Sequence, residues 1–197
     1  FNGKELGTHN GGYSTFRFDV TELVKDENKI EVKVDNSPND YVYPERADFT
    51  FYGGIYRDVY LIETDDVHFP LLSNGGPGVK VYTQVEDGVG VLSFSSECNG
   101  DECVLEIGGD EYHFPVINGV LEGSVRIESV HLWDGKRDPY LYPLTFSLLS
   151  KGEIRDQISL KVGFRTIEIF PDKGFYLNGR SYPLRGVSRH QDREGKG

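Results

Sequence analysis

The chain has 197 residues, 37% of them hydrophobic, with 21 basic against 32 acidic side chains and a formal charge of −11. At roughly 100–200 residues per domain, this length predicts one or two domains able to bury a core of their own. The acidic balance argues against nucleic acid or an anionic membrane as principal partner, because both select basic patches. No apolar run approaches the roughly 20 residues that cross a bilayer as a helix, and no basic segment leads into an apolar one as a signal peptide would. There is no Met anywhere, and Phe1-Asn2-Gly3 reads as the interior of a strand and turn. The sequence is therefore expected to be a piece of a longer protein.

Nearly every periodic segment has period 2, the mark of half-buried strands. In chain order, a short turn is predicted around Asp19–Leu23, a strand at Ile30–Asp35, and an irregular stretch from Ser37 to Phe51. Val79, Val81, Thr83 and Val85 then alternate, as do Cys103, Leu105 and Ile107, and Leu144, Phe146 and Leu148. About seven strand signals fall between Asp65 and Ile169, the content of one immunoglobulin-like sandwich. Val162 and Phe164 share one parity, whereas Ile167 and Ile169 share the other, so a bulge or a change of packing partner is expected near Arg165. Pro171–Gly174 reads as a linker. A hairpin follows, built on Phe175-Tyr176-Leu177, Asn178-Gly179 and Tyr182-Pro183-Leu184, and a further strand ends at Gly197. Asn99-Gly100, Asn118-Gly119 and Asn178-Gly179 are turn signals. The class is all-β.

The chemistry-bearing residues are sparse. Cys98 and Cys103 flank a four-residue loop and are expected to face inward across one hairpin. A disulfide is open to them, but two free buried thiols fit better where no secretion signal is present. Zinc is not expected, since neither thiol has a His or a second Cys pair at ligand spacing. His9, His68, His113 and His131 stand in strand or turn contexts with no nucleophile or paired carboxylate around them. No nucleophile elbow, phosphate loop or dinucleotide fingerprint occurs. Two segments are denser than a loop requires: Asp48–Val59, with its aromatics, Gly pair and Arg57-Asp58, and Arg185–Arg193, where a strand ends in charge and imidazole. Aromatic faces with convergent polar groups are what a sugar site uses.

These segments resemble glycoside hydrolase family 2, in particular its β-galactosidases, over essentially the whole chain. Asn2–His9 with Gly11-Gly12-Tyr13-Ser14 is similar to late strands of the family's sugar-binding jelly roll, and Phe51–Val59 to the signature that closes that domain. Trp133 with Asp138-Pro139-Tyr140-Leu141-Tyr142, then Val162-Gly163-Phe164-Arg165, resembles the end of its immunoglobulin-like domain. Phe175–Gly197 resembles the entry to the catalytic (β/α)8 barrel. The resemblance implies three parts: residues 1–64 as the C-terminal part of a galactose-binding-like jelly roll, 65–170 as an immunoglobulin-like β-sandwich, and 171–197 as the start of the barrel. It further implies that 65–170 alone is well packed, with Phe175, Tyr176, Leu177 and Leu184 left uncovered.

By the same resemblance His190 contacts galactose hydroxyls at the C-terminal end of the first barrel strand, where barrel active sites lie. Asp48 reaches from the jelly roll toward the sugar or a sodium ion. Arg57 and Arg165 are expected in buried or interdomain ion pairs, and Trp133 in packing. The family is retaining, with two carboxylates roughly 5–5.5 Å apart; both are glutamates on later barrel strands, so no catalytic residue is expected in this chain. Asp172, Asp192 and Glu194 match neither role. The implied substrate is a β-galactoside, with Mg or Na a possible cofactor of the parent enzyme and none in this piece. The implied partners are the remainder of the chain and further copies in a homo-oligomer, in the cytoplasm if the missing signal peptide is informative. A β-glucuronidase of the same family and a non-catalytic carbohydrate-binding module are the alternatives. The run Arg189-His190-Gln191-Asp192-Arg193 resembles the galactosidase form more.

Overall fold

A computed structural model describes residues 1–40, 53–73 and 75–188. They fall into two compact units, Phe1–Ile62 with Gly186–Gly197, and Glu63–Arg185.

In the first unit Asn2 sits at φ 51, and its side chain does the work of a backbone ladder. Its Nδ2 donates to the Leu23 carbonyl at 2.8 Å, and its Oδ1 accepts from the Lys29 amide at 2.8 Å. The predicted turn is a single 3-10 turn, Thr21–Leu23, opened by the Thr21 amide donating to Asp19 Oδ1 at 2.9 Å. The strand expected at Ile30–Asp35 is not formed, and Ile30, Val32 and Val34 are exposed. Alternation fixes which face a strand would bury, but the strand itself needs a neighbour to complete its hydrogen bonds, and no ladder pairs with this segment among the described residues.

The second unit carries ten strands among its described residues. Seven make a sandwich: β1 Lys80–Glu86, β2 Val89–Glu97, β3 Glu102–Ile107, β4 Asp110–Pro115, β5 Val120–Ile127, β6 Tyr142–Ser150 and β7 Glu153–Val162. One sheet has the order β1-β2-β5 and the other β4-β3-β6-β7, with all pairings antiparallel. Leu92 and Phe94 of β2 and Leu121 and Val125 of β5 face Cys103, Leu105 and Ile107 of β3 and Leu144, Phe146 and Leu148 of β6, all buried. Each set occupies alternate positions, as the two inner faces of a sandwich require. Gly123 lies opposite Phe94 on β5, and a Cβ there would come within 2.5 Å of the Phe94 ring, so the missing side chain makes room for that aromatic.

Three sequence expectations change. Cys98 and Cys103 do not flank a hairpin: β2 and β3 belong to different sheets, so residues 98–101 cross from one layer to the other. The parity break near Arg165 is, as expected, a change of packing partner: β8, Ile167–Phe170, leaves the sandwich and pairs with β9, Gly174–Leu177, which pairs in turn with β10, Arg180–Ser181. Residues 171–174 are thus the turn of a hairpin, not a linker. Leu177 is only 2% exposed and Phe175 and Tyr176 are half-buried, leaving Leu184 as the uncovered member of that set. The Asn118-Gly119 and Asn178-Gly179 pairs have positive φ at both residues, as tight hairpin turns demand.

Candidate functional site

The connection between β5 and β6 is tied down at several points. Its last residue, Tyr142, begins β6 and is buried; the Tyr142 hydroxyl accepts from the His131 amide at 2.8 Å. A Tyr at this corner whose hydroxyl returns to upstream backbone is the tyrosine corner of immunoglobulin-like sandwiches. Inside that loop the Trp133 amide donates to the Phe164 carbonyl at 2.9 Å, and Leu132 bridges Phe164 in parallel. Gly163 lies against Trp133, and a Cβ on it would meet the Trp133 Cβ at 2.9 Å. The two motifs Trp133…Asp138-Pro139-Tyr140-Leu141-Tyr142 and Val162–Arg165 are therefore one packed corner.

The β9–β10 hairpin docks on that corner through polar side chains. Asn178 Nδ2 donates to the Trp133 carbonyl at 3.1 Å, while its Oδ1 accepts from the Thr166 amide at 3.0 Å. Arg180 Nη2 lies 2.5 Å from Asp134 Oδ2, with the Asp134 side chain 15% exposed and Arg180 57%. The Tyr182 hydroxyl accepts from the Lys136 amide at 3.3 Å and packs on Gly135, which at φ 61 leaves the ring its space. The Asn-Gly signal located this turn, but nothing in the sequence pattern paired Asn178, Arg180 and Tyr182 with residues 133–136.

Both residues expected to touch sugar, His190 and Asp48, lie outside the described residues. The other histidines have local partners. His9 stacks on Phe16 and bonds Ser14, His68 Nδ1 lies 2.7 Å from the Phe69 carbonyl, and His113 pairs with Glu102 at 2.7 Å. His131 pairs with Asp138 at 2.7 Å and stacks on Tyr140. Arg57 and Arg165 are exposed and form no ion pair among the described residues, contrary to expectation. Arg165 lies over the Trp133 ring at 5.0 Å and Arg57 over Tyr56 at 5.7 Å, so an aromatic face meets each guanidinium.

The two thiols are free and buried. Burial raises the Cys98 pKa and pushes Cys103 up to about 12, the opposite of the lowered pKa that marks a reactive thiol. A shallow depression of about 260 Å³ is lined by His68, Pro70, Glu97, Cys98, Asn99 and Gly119, and one of about 310 Å³ by Lys4, Glu5, Leu6, Asp19, Glu22 and Leu23. Neither combines an aromatic sugar platform with a pair of facing carboxylates. Among the described residues no three His, Cys, Asp or Glu side chains converge as metal ligands do.

Comparison with known proteins gives this corner its context. Residues 1–65 match the sugar binding domain of glycosyl hydrolases family 2, and residues 64–165 match Glycosyl hydrolases family 2 itself. The chain belongs to glycosyl hydrolases family 2. A β-glucuronidase of Bacteroides fragilis is 35% identical over 211 residues, covering 98% of this chain and 30% of the relative. A β-galactosidase of Thermoanaerobacter pseudethanolicus is 33% identical over 212 residues, covering 96% and 27%. The crystal structure of an FMN-binding β-glucuronidase from Facaelibacterium prausnitzii L2-6 superposes with a TM-score of 0.83 at 35% identity, covering 100% of this chain and 32% of that one. The chain spans less than a third of the length of each of these relatives. The family 2 matches meet at residues 64–65, beside Glu63 where the second unit begins, and end at Arg165 on the docked corner. The hairpin β8–β10 follows immediately after.

Proposed function

We propose that the chain is the scaffold and substrate-positioning part of a retaining family 2 β-galactosidase, divided as 1–64 sugar-binding jelly roll, 65–170 immunoglobulin-like sandwich and 171–197 barrel entry. The observation that carries this reading is the order along one chain: the sugar binding match, the sandwich match, then a hairpin whose continuation is Arg185–His190. In this reading His190 holds galactose hydroxyls and Asp48 reaches the sugar from the jelly roll. The nucleophile and the acid/base, two carboxylates roughly 5–5.5 Å apart, are glutamates of a longer protein.

A second reading, β-glucuronide hydrolysis, is favoured by the 35% identity to two β-glucuronidases. It would require cationic donors for the substrate carboxylate, which a galactoside lacks. The longer protein, assayed on 4-nitrophenyl β-galactoside and β-glucuronide, is expected to prefer the galactoside by about tenfold or more in kcat/KM, the discrimination a pocket built for one polar group gives. The reverse preference would transfer the assignment to the glucuronide; turnover of neither would overturn both.

A further inference from the structure

The sequence holds six Asn-Gly pairs, at 2–3, 10–11, 74–75, 99–100, 118–119 and 178–179. Such a pair carries its own chemistry. The glycine amide nitrogen can attack the asparagine side-chain carbonyl, because no Cβ stands beside that nitrogen to obstruct the approach. Ring closure needs a side chain free to turn, a backbone free to rotate and a glycine amide not held elsewhere. Four of the pairs are denied this. Asn2 donates to the Leu23 carbonyl and to Asn28, accepts from the Lys29 amide, and has its own amide bonded to the Lys29 carbonyl at 2.8 Å. Asn99 accepts from the His68 amide at 3.0 Å and donates to the Asp66 carbonyl at 2.6 Å. Asn178 is held by Thr166 and Trp133. Asn118 is exposed, but it sits at φ 52 in a turn closed by reciprocal bonds between Ile117 and Val120 at 2.9 and 3.0 Å, and rotating it toward the ring would break both. Asn74 lies outside the described residues.

Asn10-Gly11 differs on every count. Both residues are exposed and belong to no helix or strand, and nothing lies within 4 Å of where a Gly11 Cβ would stand. Among the described residues neither the Asn10 side chain nor the Gly11 amide has a hydrogen-bond partner.

We propose that Asn10 is a site of spontaneous covalent modification: it closes to a succinimide with Gly11 and reopens as aspartate or isoaspartate. The Gly11 nitrogen loses its proton and bonds to Asn10 Cγ; the Cγ–Nδ2 bond breaks, and Nδ2 leaves with that proton as ammonia. Solvent water then adds to one of the two ring carbonyls and breaks its bond to the nitrogen. Opening at the side-chain carbonyl gives aspartate. Opening at the main-chain carbonyl gives isoaspartate, which routes the chain through the side chain and lengthens the backbone by one atom. The net change is one water consumed and one ammonia released, with no oxidant or reductant. Either product adds negative charge to a chain already at −11, within the residues 1–65 that match the sugar binding domain. The reaction is independent of which glycoside the longer protein takes.

The test is peptide mapping by mass spectrometry after incubation at mildly alkaline pH, on the purified 197-residue chain folded and, in parallel, unfolded in urea. Each pair serves as its own reference, since unfolding removes every restraint named above. In the folded chain Asn10 is expected to keep about its unfolded rate, as a segment that opens at almost no cost does. Asn2, Asn99, Asn118 and Asn178 are expected to react at least about tenfold more slowly folded than unfolded, because their hydrogen bonds must break first. The product at position 10 should include isoaspartate, eluting apart from the aspartate peptide at the same mass. Slowing of Asn10 to match the other four, or any of the four overtaking it in the folded chain, would overturn the proposal. Equal rates in the folded and unfolded chain at all five would overturn it too, since the fold would then select nothing.

Discussion

Replacing Phe146 with alanine is expected to cost the sandwich about 3–5 kcal/mol. Phe146 is fully buried at the middle of β6, paired with Leu105 on β3 and Ile158 on β7. Its ring lies edge-on to Phe94 at 5.1 Å, and Phe94 lies edge-on to Phe114 at 4.8 Å. The aromatic cluster therefore joins the two sheets, and Gly123 is the position that admits it. Truncation at its centre removes the transfer energy of the ring and leaves a cavity that two hydrogen-bonded sheets cannot collapse to fill. Against a typical total stability of about 5–15 kcal/mol, that is a large fraction. Urea unfolding measures it, with Tyr82→Ala as the control: Tyr82 is exposed on β1 and should shift stability by about 0.5 kcal/mol or less. A Phe146→Ala cost as small as the control would mean that the two sheets do not share this core.

Asn178→Ala is expected to release the last hairpin while the sandwich stays folded. The side chain satisfies the Thr166 amide and the Trp133 carbonyl together, and each such group left without a partner in a part-buried site costs about 1–3 kcal/mol. Alanine also tolerates φ 51 poorly, whereas asparagine visits that region readily. Asn178→Gly separates the two effects, since it accepts the backbone angle and still loses both hydrogen bonds. Amide exchange is the measurement. Protection should fall at β8, β9 and β10 in both variants, more in the alanine variant, and persist in β2, β3 and β6. Loss of protection throughout Glu63–Arg185 would show instead that hairpin and sandwich unfold as one.

Period-2 alternation was sufficient to place β1, β3 and β6, because in each the two faces meet different surroundings. At Ile30–Asp35 the same pattern produced no strand, since alternation specifies a face and says nothing of a partner. The change of sheet after Phe164 was visible as a parity break, and the final hairpin as Asn-Gly. What stayed hidden was long-range: Cys98 follows β2 of one sheet and Cys103 lies on β3 of the other although they are close in sequence, and Asn178 meets Trp133 although far from it. Those facts depend on which elements pack together, which local spacing does not encode. His190 and Asp48 are proposed from family resemblance alone, because an isolated imidazole or carboxylate has no periodic signature in the sequence. Side-chain contacts of Asn178, Arg180 and Tyr182 with residues 133–136 reveal how the last hairpin is attached, which resemblance had not supplied.

The central claim is that this chain holds and orients a glycosidase site without containing its chemistry. The most direct measurement is hydrolysis of 4-nitrophenyl β-galactoside and β-glucuronide by the purified 197-residue chain beside the longer protein. The account predicts turnover by the longer protein and none above buffer by the chain, since its described carboxylates supply no nucleophile and acid facing each other across a sugar platform. Turnover by the chain alone, abolished by a substitution within it, would contradict the account.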